Sequence, residues 1–88
     1  MSTSIDDIRR WLEEAPKGST HMLVVCDTFD YEDYPVYVKP AENVYTVAQE
    51  HNGPNMTKLM EVYSFSPKYT IEGQLGNKGF MQRTRNYD

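Results

Sequence analysis

The densest run of chemically capable side chains is Cys26-Asp27-Thr28-Phe29-Asp30-Tyr31-Glu32-Asp33-Tyr34-Pro35-Val36-Tyr37, in which four carboxylates and four aromatic rings occupy twelve residues. Carboxylates at this density suit three chemistries: holding a hard cation, acid–base catalysis, or accepting hydrogen bonds from a ligand. A calcium loop sets oxygen ligands at alternate positions around a glycine that makes its sharp turn. Here Asp27, Asp30, Glu32 and Asp33 are irregularly spaced and the segment lacks glycine, so no metal site is expected. Paired-carboxylate catalysis needs two acids in unlike environments, whereas an exposed turn solvates all of them alike. Cys26 with His21 or His51 has the composition of a thiol–imidazole pair. His21, however, lies five residues away, on the other face of a regular strand, and Cys26 closes an apolar run in which it reads as a small core residue. The expectation is of no catalytic residue and no cofactor.

Recognition fits the segment better. Tyr and Phe rings stack on planar groups such as nucleobases, and carboxylates accept hydrogen bonds from ribose hydroxyls or base amino groups. The expected ligand-binding residues are Asp27, Phe29, Asp30, Tyr31, Tyr34 and Tyr37. A phosphate-bearing ligand also requires cations, which Lys39, Lys58, Lys78, Arg83 and Arg85 in the back half of the chain could supply from a partner subunit, and of these Arg83 and Arg85 join the expected ligand-binding residues. A purely structural role competes, with Tyr34 and Tyr37 packing a sheet face and the acids keeping a turn soluble. A second candidate surface is Trp11 with Arg9 and Arg10, since Trp and Arg anchor many interfaces, although a Trp in an amphipathic stripe also serves as core.

The elements that position these residues follow from local pattern. Ser4 to Glu14 reads as a helix: Ser4 caps it, Asp6 and Asp7 sit in the first turn where the helix dipole favours negative charge, and Ile5, Ile8, Trp11 and Leu12 form one stripe. Pro16 and Gly18 end it. Thr20–Thr28, apolar without interruption from Met22 to Cys26, reads as a central strand buried on both faces. Polar residues 29–33 then turn the chain, and Tyr34–Val38 returns as a strand that Pro35 confines to an edge. Pro40–His51 reads as a second helix stopped by Asn52-Gly53-Pro54. A third strand is expected around Lys58–Phe65, with a helix over Asn55–Tyr63 as the competing reading. Ile71–Leu75 makes a short helical turn.

The fold class predicted is α+β: a three-stranded antiparallel sheet of order 2-1-3 with helices on one face, in the sequence α-β-β-α-β. Residues 1–76 form the single domain, and residues 77–88 a flexible or oligomer-docking tail. Helices on one face leave the other to be covered, and a second protomer is the expected cover, making the chain a homo-oligomer.

Charge and composition narrow the partners. The net charge of −4 opposes generic nucleic-acid binding, which requires a surplus of Lys and Arg. It is unevenly spread: residues 1–38 carry three bases against eight carboxylates, a net of −5, while residues 39–88 carry six bases against five acids, a net of +1. An acidic front of this kind can attract a cationic partner. The single cysteine cannot close an internal disulfide. With no apolar run long enough to span a membrane and an N-terminus unlike a signal peptide, a cytoplasmic location is expected.

From Gly18 to Val38, and again at Asn55-Met56 and Met60-Glu61-Val62-Tyr63-Ser64, the sequence resembles small proteins of uncharacterised activity encoded by bacteriophages and prophages. The resemblance implies an accessory phage protein acting in the host cytoplasm, a class that often counters host immunity. Two roles are expected of such a protein here. The first is an oligomer that sequesters a small nucleotide-type immune signal without altering it. The alternative is an inhibitor or adaptor whose acidic front engages a basic surface of a host protein.

Overall fold

The computed structural model describes residues 3–76 and 83–88. Its elements are α1 (Ile5–Glu13), β1 (His21–Asp27), β2 (Glu32–Val38), α2 (Val44–Glu50), β3 (Thr57–Ser64) and α3 (Ile71–Gly76), with a 3-10 turn at Pro54–Met56. The three strands form one antiparallel sheet of order β2-β1-β3. The fold is α+β, and the segment from Thr57 to Ser64 is strand, not the competing helix. No helix among the described residues is long and apolar enough to cross a membrane.

Local chemistry explains the boundaries. Ser4 accepts from the Asp7 amide while the Asp7 carboxylate accepts from the Ser4 amide, closing a reciprocal box at the start of α1. The second helix starts later than Pro40. Lys39 to Glu42 closes a turn of its own, with the Glu42 amide donating to Lys39 O and the Lys39 amide to Glu42 Oε1. The cap is Asn43, whose Oδ1 accepts from the amides of both Tyr45 and Thr46. Pro35 sits mid-strand opposite Val24, which is tolerated because β2 is an edge.

Each face of the sheet has its own core, and here the structure departs from helices on one face. Leu23, Val25, Val38, Leu59 and Val62 pack under Val44, Val47 and Ala48 of α2. Met22, Val24 and Tyr63 pack under Ile8 and Leu12 of α1 and Leu75 of α3. The reason lies in β1: both its odd and its even side chains are apolar, and successive side chains point to opposite faces. Covering one face alone would leave Met22 and Val24 in water, at about 1.5–3 kcal/mol for each buried side chain of this size. The cover is therefore supplied within the chain, and the sheet gives no reason for a second protomer.

Arg9 of α1 makes a two-pronged ion pair with Glu72 of α3, at 2.7 and 3.0 Å. Gln74 of α3 is buried and behaves as a short extra strand segment. Its Oε1 accepts from Ser64 N at 2.8 Å and its Nε2 donates to Ser64 O at 2.9 Å.

Residues 77–82 of the expected tail lie outside the described residues. Residues 83–88 are seated on the outer edge of β3. Val62 N donates to Thr84 O at 2.8 Å, Asn86 N donates to Val62 O at 2.9 Å, and Val62 and Arg85 form a parallel bridge. The His21 ring holds the carbonyls of Tyr87 and Asp88 through Nε2 at 3.0 and 2.9 Å. Because carbonyls only accept, Nε2 carries a proton.

Candidate functional site

The tip of the β1–β2 hairpin is built by its own acids. Asp27 Oδ1 accepts from Phe29 N at 2.8 Å, Asp30 Oδ1 accepts from Glu32 N at 3.1 Å, and Tyr31 N donates to Asp27 O at 2.6 Å. These short-range bonds are the ones Asp side chains form in turns. They occupy one oxygen each of Asp27 and Asp30, so both acids shape the loop as well as charging it. Asp33 is tied to Thr3, whose Oγ1 donates to Oδ2 at 2.6 Å. It also faces the Cys26 thiol, whose pKa is raised first by burial and then by the hydrogen bond and charge of Asp33. A thiol held protonated is a poor nucleophile. No group of three or more His, Cys, Asp or Glu among the described residues is arranged to hold a metal ion.

A second loop locks the tip from beside it. Thr28 donates to Met56 O through both its amide, at 2.8 Å, and its hydroxyl, at 2.9 Å. Three non-glycine residues at this end are left-handed: Tyr31 at φ 60°, Asn55 at φ 55° and Met56 at φ 60°. Such residues cost on the order of 1 kcal/mol or more each. The result is a group of apolar side chains held out to solvent, with Phe29 77%, Tyr31 68% and Met56 52% exposed.

The eight residues expected to bind a ligand are not brought together. Asp27, Phe29, Asp30 and Tyr31 belong to the tip. Tyr34 lies opposite Val25 and Tyr37 opposite Met22, so the two rings point to opposite faces, as residues three apart on a strand must. Tyr34 is partly exposed on the α2 side. Tyr37 packs against the α1 core, and its hydroxyl donates to Trp11 O at 2.6 Å, so its role is a tie between strand and helix and not a ligand contact. Arg83 is exposed in the C-terminal segment. Arg85 stands beyond β3, with β1 and β3 between it and β2; its Nε donates to Met60 O at 3.1 Å and its Nη2 to Leu59 O at 3.0 Å. Trp11 is half-buried and packs against the same core as Tyr37.

Two features escape a reading of the sequence. Met56 joins the tip from 25 residues beyond Tyr31, and its one local signal is the Gly53-Pro54-Asn55 turn that precedes it. Tyr45 and Tyr87 stack with centroids 4.7 Å apart and planes 12° from parallel. Nothing in the spacing of residues 45 and 87 announces that contact, because it depends on where the C-terminal segment is seated.

Comparison with protein-family models, with curated proteins and with solved structures finds no significant match to this chain.

Proposed function

We propose that the protein is a non-catalytic capture protein that engages a basic surface of a protein partner through the hairpin tip. The observation that carries this reading is the outward display of Phe29, Tyr31 and Met56 on a backbone locked by the Thr28–Met56 bonds, with Asp27, Asp30, Glu32 and Asp33 around them. Aromatic anchors carried on a backbone fixed before binding lose less freedom on docking than anchors on a mobile loop. The surrounding carboxylates speed encounter with a cationic surface and reject an acidic one. A small nucleotide bound at this place would need an enclosing wall, and the tip turns its rings outward. The resemblance to small phage-encoded proteins supports a setting in the host cytoplasm, where blocking a host protein is one form of anti-defence activity.

The test is retention of a host protein on the immobilised full chain. Retention is expected to fall steeply between low and physiological salt, as screening of exposed charge requires. It is expected to be lost in the Phe29→Ser/Tyr31→Ser double variant and weakened in Asp30→Asn/Glu32→Gln. Retention unaffected by either pair of substitutions would sink the reading.

A further inference from the structure

A second place on the molecule has the shape that the hairpin tip lacks. Between α2 and the seated C-terminal segment lies a cleft of about 210 Å³ whose lining includes Tyr45, Gln49, Asn52, Arg85 and Tyr87. We propose that this cleft binds a small phosphate-bearing ligand with a planar ring, of which a nucleoside monophosphate is the simplest example. Tyr45 offers the ring face and Arg85 the cation. This site is separate from the hairpin tip and does not depend on the capture reading.

Three observations converge on it. The first is the prepared ring. Tyr45 is 59% exposed, yet it is not loose, because Tyr87 stacks on it and Tyr87 in turn packs against the buried core under α2. A ring already held on one side gives up little entropy when a base stacks on it, and such stacking tolerates any base.

The second is the prepared cation. The Arg85 guanidinium is oriented by the carbonyls of Leu59 and Met60, which use two of its five N–H donors and none of its charge. Among the described residues no carboxylate lies within ion-pairing distance of Arg85, and no other residue lining the cleft is charged. A guanidinium aimed by backbone, with donors to spare, is the group that recognises phosphate in a fixed geometry.

The third is polar matching with limited room. The side-chain amides of Gln49 and Asn52 line the same cleft. Asn52 spends its Oδ1 on Leu59 N at 3.1 Å, leaving its NH2 group as a donor for a ring edge or sugar hydroxyl. The volume is below the roughly 300–1,000 Å³ of sites that enclose a whole drug-sized ligand. One ring or one phosphate enters and the rest of the ligand stays at the mouth, so the class is a mononucleotide or the end of a longer one.

The experiment is a ¹H–¹⁵N titration of the full chain with adenosine monophosphate, adenosine and inorganic phosphate in parallel. Adenosine monophosphate is expected to shift the amides of Tyr45, Gln49, Arg85 and Tyr87, and to bind at least about tenfold more tightly than adenosine or phosphate alone. Gln49 is exposed on α2, so Gln49→Glu leaves the fold intact while setting a carboxylate against the phosphate. It is expected to weaken adenosine monophosphate about tenfold and adenosine by distinctly less, because only the former brings a phosphate against the new carboxylate. Tyr45→Ala is expected to weaken both by a similar factor. Shifts confined to the hairpin tip, equal binding of the three probes, or unaltered binding by Gln49→Glu would each overturn the proposal.

Discussion

At the scale of single residues, Tyr63 and Glu61 show how this chain uses burial to tune a side chain. Both are buried on β3, two residues apart and therefore on one face, and the Tyr63 hydroxyl donates to Glu61 Oε1 at 2.9 Å. The phenol is held well above the ordinary tyrosine range, first by burial and then by the charge and hydrogen bond of Glu61. A group whose folded pKa is raised stabilises the fold fully below its unfolded pKa, and that stability is lost as pH rises. For Tyr63 the loss therefore begins near pH 10, where unfolded tyrosines ionise. Urea midpoints measured from about pH 9 to 11 should decline in the wild type and decline less steeply in Tyr63→Phe. The sequence announces Tyr63 as an apolar strand residue but not its partner. The side-chain bond from Tyr63 to Glu61 forms only once the strand is fixed and its face covered.

At the scale of elements, the hairpin is the part most legible in advance. The apolar run Met22–Cys26 dictates a strand covered on both faces, Pro35 dictates an edge, and the observed order β2-β1-β3 follows from putting those together. Tyr31 is the strained residue in its turn. Tyr31→Gly removes the steric cost of a left-handed side chain, about 1–2 kcal/mol, against an entropy cost of roughly 0.5–1 kcal/mol for adding a glycine to the unfolded chain. Its urea midpoint should equal or exceed that of the wild type, while partner retention falls. A loss of stability would mean that the Tyr31 ring holds the hairpin together and is not held out for recognition. The start of α2 was less legible. A proline at a helix start is a statistical signal, whereas the two hydrogen bonds that Asn43 Oδ1 accepts from the Tyr45 and Thr46 amides, which set the true start, depend on Lys39–Glu42 closing a turn first.

At the scale of the molecule, the governing fact is that one chain covers its own sheet. The helices α1 and α3 lie on one face and α2 on the other, and residues 83–88 take up the outer edge of β3. An uncovered strand edge is a template for pairing with another chain. A chain ending at residue 82 exposes that edge, loses the Tyr87 stack on Tyr45 and leaves the buried His21 ring without the carbonyls of residues 87 and 88. Sedimentation is expected to find the 10.2 kDa full chain as a single copy. The shortened chain should unfold at lower urea and associate as concentration rises. A shortened chain as stable and as monodisperse as the full one would show that residues 83–88 do not cover the edge in solution.

The amino-acid sequence by itself determined α1, the β1–β2 hairpin with its edge strand, and the concentration of rings and acids in one turn. Each is written in local composition: apolar runs, prolines, caps and charges act over a few residues. Residues 55–65 stayed open between strand and helix until the structure placed β3 there. Only the tertiary structure decided which of those residues share a surface. It turned Tyr37 into the core and Phe29 and Tyr31 outward, brought Met56 to the tip, and laid Arg85 and Tyr87 beside α2 to form a cleft that no motif announces. The physical reason is that strand parity and the seating of residues 83–88 are settled by which apolar faces must be buried, and that is a property of the whole chain.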